Sequence, residues 1–191
     1  LTLAFVSPII VTILSIFYLN EKVGIHRWAA VFLGFIGVLI IIRPGFIDFN
    51  FASISAIAAG TSYAFYIIYT RKLSFTDSPV VTLIFTGSIG CLIISFIVPF
   101  FWVNLNFTQI LYLILLAFIG TIGHFLIILS LKFGEASKLA PLGYFEITTN
   151  ILVGYIFFND LPNFWIYLGL FLIVISGIYI FIRENLKKSS F

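Results

Sequence analysis

Apolar residues in this chain come in long unbroken runs, and polar residues gather in the short stretches between them. Seven runs cover residues 3–19, 28–42, 51–69, 80–102, 107–131, 139–158 and 164–182. A helix needs about 20 apolar residues to cross about 30 Å of hydrocarbon, and each run reaches or approaches that length. The run 28–42 is short and borrows residues from 25–27. The connections at 20–27, 43–50, 71–78, 103–106, 132–138 and 159–163 hold almost every charge and most turn-forming residues, so they read as loops. The pattern predicts an all-α fold, a polytopic membrane helix bundle with seven transmembrane helices in this chain.

Composition and charge sharpen that picture. The 191 residues are 62% hydrophobic and 9% charged, with a mean hydropathy of +1.21, where soluble domains carry about 25% charged residues. Threading the runs back and forth puts Lys22, Arg27, Arg71, Lys72, Lys132, Lys138, Arg183, Lys187 and Lys188 on one face and leaves Arg43 on the other. By the positive-inside rule the rich face is cytoplasmic, which places the carboxyl terminus inside. A wrong segment count would scatter these charges between the faces, so the bias supports seven segments. Each basic residue taken singly is a solvated or snorkelling helix end. The expected location is the cell inner (plasma) membrane, with the chain crossing it several times. There is no Met and no signal-peptide pattern, yet the first residues already lie inside an apolar run, so upstream helices are expected.

A weak internal repeat indicates how many. Asn20-Glu21 follows an apolar run, Gly37 stands 16 residues after Glu21, and Arg43 stands six beyond that glycine. Asn159-Asp160 also follows an apolar run, Gly177 stands 17 residues after Asp160, and Arg183 again stands six beyond. The register is imperfect, since Pro8 precedes Glu21 by 13 residues and Pro141 precedes Asp160 by 19. The two copies are five helices apart, and an odd offset turns them in opposite directions, as in the inverted repeats of secondary transporters. A second copy with three helices ahead of its terminal pair implies three more before Leu3, ten in all.

The stretch from Ser7-Pro8 through Leu19-Asn20-Glu21-Lys22, Arg27-Trp28 and Gly34 to Gly45 resembles the end of an EamA-type domain of the drug/metabolite transporter superfamily. The segments Gly134-Glu135-Ala136-Ser137, Ala140-Pro141, Tyr144-Phe145-Glu146, Gly154-Tyr155, Phe158 to Pro162 and Ser176-Gly177 to Arg183-Glu184 are similar to the end of the partner domain. The resemblance implies two inverted five-helix repeats. Residues 1–45 would be the last two helices of the first, residues 51–184 the whole second repeat, and residues 185–191 a cytoplasmic tail. Asp160 stands where many relatives have Glu, which keeps a charged helix end.

Glu146 is the leading candidate for chemistry, because a charge inside the run 139–158 costs about 3 kcal/mol by insertion scales. At helical spacing Gly143, Glu146, Asn150 and Gly154 form one small and polar stripe, a face that packs inward or lines a watery cavity. Desolvation raises a carboxyl's pKa, which suits proton coupling. The competing role is a neutral Glu hydrogen-bonded between helices. His124 sits mid-run beside Gly120 and Gly123, either titrating near neutral pH or donating to a neighbouring carbonyl. Tyr63, Tyr66 and Tyr144 are candidates to line a cavity that takes aromatic or cationic metabolites, though packing alone also accounts for them. Trp28, Trp102 and Trp165 stand at segment ends, as interface residues do. Pro8, Pro99 and Pro141 fall inside or near the ends of runs, where proline kinks or interrupts a helix.

The single Cys91 excludes an intrachain disulfide and reads as a small packing residue near Gly87 and Ser95. No metal motif, phosphate loop, HExxH helix or GxSxG elbow occurs, and no cofactor is expected. The dispersed basic residues give no support to nucleic-acid binding. The reading is a secondary transporter moving a small organic metabolite, such as an amino acid, a nucleoside-like or a drug-like compound, by alternating access. Family resemblance favours export. Its partners would be that substrate and the lipid bilayer, with proton coupling and a homodimer as further options. The alternatives are an intramembrane enzyme acting on lipid or peptide, with Glu146 and His124 as acid and base, and a transporter fragment inactive alone.

Overall fold

The computed structural model describes residues 2–42, 51–159 and 161–188. Expectations placed on Leu1, on Arg43 and the connection 43–50, on Asp160 and on the tail residues 189–191 fall outside the described residues. Every described element is helical. A 3-10 turn, Thr2–Val6, leads into α1 (Ser7–Leu19), followed by α2 (Ile25–Ile42) and α3 (Phe51–Leu73). Next come α4 (Pro79–Ile97) with a 3-10 turn at Val98–Phe101, and α5 (Phe107–Phe133). The last part comprises the short α6 (Ala136–Leu139), a 3-10 turn at Ala140–Tyr144, α7 (Phe145–Phe158) and α8 (Phe164–Lys188). The chain is therefore the all-α membrane bundle that the apolar runs predict. Three spans, Pro79–Phe101, Phe107–Phe133 and Phe164–Arg183, are long and apolar enough to cross a membrane, each with a mean hydropathy of 2.4. Ala4–Leu19 and Ile25–Ile41 are shorter apolar helices.

The run 139–158 departs from a single rod. Pro141 has no N–H to give to a helical ladder, and the backbone tightens to the 3-10 turn before α7 resumes at Phe145. The other helices stop and start on local chemistry. Asn20 and Asn159 adopt the left-handed conformation, with φ of 53° and 56°, and end α1 and α7. Asparagine tolerates that region better than most residues. The side chain of Asn163 accepts from the Trp165 and Ile166 N–H groups and starts α8.

The chain forms two compact units, one of Leu1–Tyr69 with Glu135–Phe191 and the other of Thr70–Gly134. In the first, α2 and α8 run antiparallel. His26 at the start of α2 bonds to the Tyr179 hydroxyl near the end of α8, and Ile41 at the far end of α2 lies at Gly169. Between these ends the backbones come together. A Cβ at Gly37 would stand 2.8 Å from the Gly169 carbonyl oxygen, and one at Gly169 would stand 2.5 Å from the Gly37 carbonyl oxygen. Around this crossing Phe5, Val38, Tyr144, Ile147 and Ile173 form the core. The buried face of α1 includes Thr12 and Ser15, which donate their hydroxyls to the Pro8 and Thr12 carbonyls at 2.8 and 2.9 Å. Tyr18 meets Phe65 and Tyr69 of α3 edge-on, at 6.3 and 6.2 Å between ring centroids.

The second unit is the hairpin of α4 and α5 with the end of α3. Ser78 accepts from the Val81 N–H to start α4, while Asn106 and Gln109 form a reciprocal capping box at the start of α5. Arg71 donates to the Leu131 and Lys132 carbonyls at 2.7 and 3.1 Å, satisfying the last turn of α5. Large apolar side chains cover the outside of this unit, as a lipid-facing surface requires.

Gly169→Val is expected to cost about 1–3 kcal/mol by overpacking the crossing, whereas Gly87→Ala, whose Cβ meets nothing within 4 Å, should leave stability unchanged. Thermal melting in detergent checks this, and equal midpoints for the two variants would refute the close approach.

Candidate functional site

The polar face of α7 flanks its core face. Ile147 points into the core, while Gly143, Glu146 and Asn150 are exposed. Glu146 occupies the first turn of α7, directly after the 3-10 turn, and Asn150 stands one turn further on. On α3, Tyr63 and Tyr66 are neighbours on one helical face, their rings stacked with centroids 5.9 Å apart and planes inclined by 29°. The Glu146 carboxyl is close enough to Tyr63 to act on it electrostatically. Tyr63 and Glu146 thus lie within electrostatic reach of each other from two separate helices, with Tyr66 stacked on Tyr63 and Asn150 continuing the polar stripe. Stacked phenols offer a platform for a planar ring, and a carboxylate beside them receives a cation or a hydrogen-bond donor.

Two candidates stand elsewhere. Tyr144 is fully buried, its ring seated against Gly34 of α2. Its hydroxyl finds no hydrogen-bond partner among the described residues, and neither do those of Thr148 and Ser176. Ser176 lies 3.1 Å from the place a Cβ of Gly34 would take, so Tyr144 and Ser176 share one pocket in the packing. His124 is half-buried on α5 and belongs to the other unit. A depression lined by Cys91, Ile94, Ser95, Val98, Pro99 and Trp102 on α4 and its following turn contains none of the six candidates. Among the described residues no three His, Cys, Asp or Glu side chains gather as a metal site.

A second polar cluster links the α1–α2 connection to α6. Glu21 accepts from the backbone N–H groups of Ala136 and Ser137 at 2.8 and 2.9 Å, and the Ser137 hydroxyl donates to it as well. Arg27, only 7% exposed, donates to Glu135 at 2.6 Å, to the Ser137 hydroxyl at 2.8 Å and to the Lys22 carbonyl at 3.3 Å. Lys138 pairs with the other Glu135 oxygen at 2.8 Å. Two cations and two anions thus balance each other around Ser137. Burial alone would raise the Glu135 pKa, but hydrogen bonds from Lys138 and Arg27 and their charges outweigh it and hold the carboxyl below its usual range. Sequence reasoning reads these residues as separate helix ends. The signal available was the placement of two of only seven acidic residues in two basic connections.

Residues 50–182 match the EamA-like transporter family. The chain belongs to that family. Among its relatives, the riboflavin transporter of Vibrio cholerae serotype O1 is 32% identical over 197 residues, covering 99% of this chain and 63% of the relative. The S-adenosylmethionine uptake transporter of Rickettsia bellii is 24% identical over 187 residues, covering 98% of this chain and 64% of the relative. A riboflavin transporter of Rhizobium johnstonii is 25% identical over 195 residues, covering 98% and 62%. This chain therefore spans less than two thirds of the length of these relatives.

In this EamA family member the lowered Glu135 carboxyl sets a pH dependence. Its contribution to stability is fully present above the ordinary glutamate value of 4.5 and is lost as pH falls through the lower folded value. Wild type should therefore melt above Glu135→Gln at neutral pH, with the gap closing under acid. A gap that widens on acidification would contradict the pairing.

Proposed function

We propose that this chain forms part of a secondary transporter that moves a small organic metabolite across the inner membrane by alternating access. The stacked Tyr63–Tyr66 pair beside Glu146 carries this reading, because it supplies a ring platform and an ionisable group on the polar side of an otherwise apolar bundle. The relatives named for riboflavin and S-adenosylmethionine transport point the same way. Both compounds contain a fused heteroaromatic ring, which suits a tyrosine platform. Glu146 would couple movement to a proton, and Asn150 would orient the substrate. Family resemblance suggests export, while the Rickettsia relatives are named for uptake; flux measured both ways across one proteoliposome preparation decides between them.

We further read residues 1–45 and 51–184 as parts of two inverted repeats. Asn20 and Asn159, paired by the sequence repeat, share the left-handed conformation at equivalent helix ends. The paired helices α2 and α8 run antiparallel, as inversion requires.

In the complete gene product, Glu146→Gln should abolish proton-driven flux in proteoliposomes while the protein stays folded; wild-type flux with the same pH profile would dismiss coupling through this residue. Tyr63→Ala and Tyr66→Ala should raise the half-saturating substrate concentration by about fivefold, as expected for about 1 kcal/mol of lost ring contact, while the Phe variants stay near wild type. Unchanged saturation in the Ala variants would remove the platform from the pathway. Turnover of a lipid or peptide without movement of solute would favour the intramembrane enzyme instead.

A further inference from the structure

The cluster around Ser137 lies apart from the transport site yet is joined to it by the chain. Glu21 and Arg27 sit at the end of α1 and the start of α2, and they hold Glu135, Ala136 and Ser137 at the entrance to α6. From Ser137 the chain runs through α6 and the 3-10 turn at Ala140–Tyr144 directly into α7, whose first turn bears Glu146. Neither intervening piece is a stable helix of its own. A four-residue helix falls far short of the length that propagates unaided, and a 3-10 turn in this position commonly marks a hinge. Gly24, in the connection that carries Glu21, has open space around it. The charged and hydrogen-bonded contacts that hold α6 sit on short segments beside the buried Ala136, whereas α2 and α8 are locked by backbone packing. Downstream of α6, the buried hydroxyls of Tyr144 and Thr148 lack partners among the described residues, which raises the free energy of this arrangement relative to one that pairs them.

We propose that Glu21, Arg27, Glu135 and Ser137 form a releasable latch that positions Glu146. Latched, the network fixes α6 against the α1–α2 connection and sets the start of α7. Released, α6 and the 3-10 turn pivot about Pro141, the Tyr144 ring leaves the hollow at Gly34, and Glu146 moves to a second position. Glu21 and Arg27 are positioning residues in this scheme and touch no substrate. The latch rests on the transporter reading for its purpose but not for its existence, and the test separates the two.

Hydrogen exchange of the complete gene product in lipid nanodiscs reads release without any substrate. An opening populated at about 0.1–10% leaves the Ala136 and Ser137 amides protected only about 10- to 1,000-fold, well below the core amides of α2, and Glu21→Gln should lower that protection by about tenfold more. Protection equal to that of the Val31 and Val38 amides would make the cluster a static clamp and overturn the proposal. For function, Arg27→Cys with Glu135→Cys in a Cys91→Ser background is bridged by a bifunctional thiosulfonate reagent. Bridging should stop flux, and reduction should restore it; undiminished flux in the bridged protein would equally overturn the latch. If the parent protein moves no solute at all, the transporter reading fails, and the exchange measurement alone still decides whether the latch opens.

Discussion

The close approach of the α2 and α8 backbones is the contact on which the remaining packing of the first unit depends. Between helices in lipid there is little hydrophobic force, because acyl chains are as apolar as the side chains they would replace. Association then rests on van der Waals contact, and Gly37 opposite Gly169 brings two main chains to a distance no larger residue allows. The ring of Tyr144 enters the hollow at Gly34, and a ring edge of Phe145 meets Gly177. Those two neighbours end the 3-10 turn and begin α7, so in this arrangement the glycines of the crossing also seat the start of α7.

Polar interactions take a different share of the work. The pair of backbone N–H groups held by Glu21 and the charged bonds of Arg27 each count for about 1.5–3 kcal/mol at most, and a partly exposed ion pair such as Lys138–Glu135 adds about 0–1 kcal/mol. After desolvation the net is a few kcal/mol, the scale that separates conformers in equilibrium rather than folded from unfolded chains. Permanent structure in this molecule is apolar and lies along the helices; adjustable structure is polar and lies at one end of them.

Much of the fold was legible because lipid enforces a simple rule: buried backbone must be helical, and crossing lengths must be apolar. The helices follow the seven runs closely, and α2 begins at Ile25, as its short run required. The break at Ala140–Tyr144 was not legible, since a proline near the start of an apolar run fits either a helix end or a turn within it. The pairing of Glu21 with Ser137 and of Arg27 with Glu135 joins residues more than a hundred positions apart. Such contacts leave no periodic trace in sequence. Of the site, the polar stripe on α7 was readable from helical spacing, and its facing tyrosines were two among many aromatics. Tyr144 belonged to the same set by type, and only the hollow at Gly34 places it in the core instead.

The exposure of that stripe is itself informative. A carboxyl on a helix with Ile147 turned into the core would, facing hydrocarbon, cost about 3 kcal/mol before any pairing, and Asn150 would add its own unpaired amide. A surface of this composition is tolerated in a membrane when further protein or water covers it. The polar side of α7 therefore calls for a cover of protein or water in place of lipid.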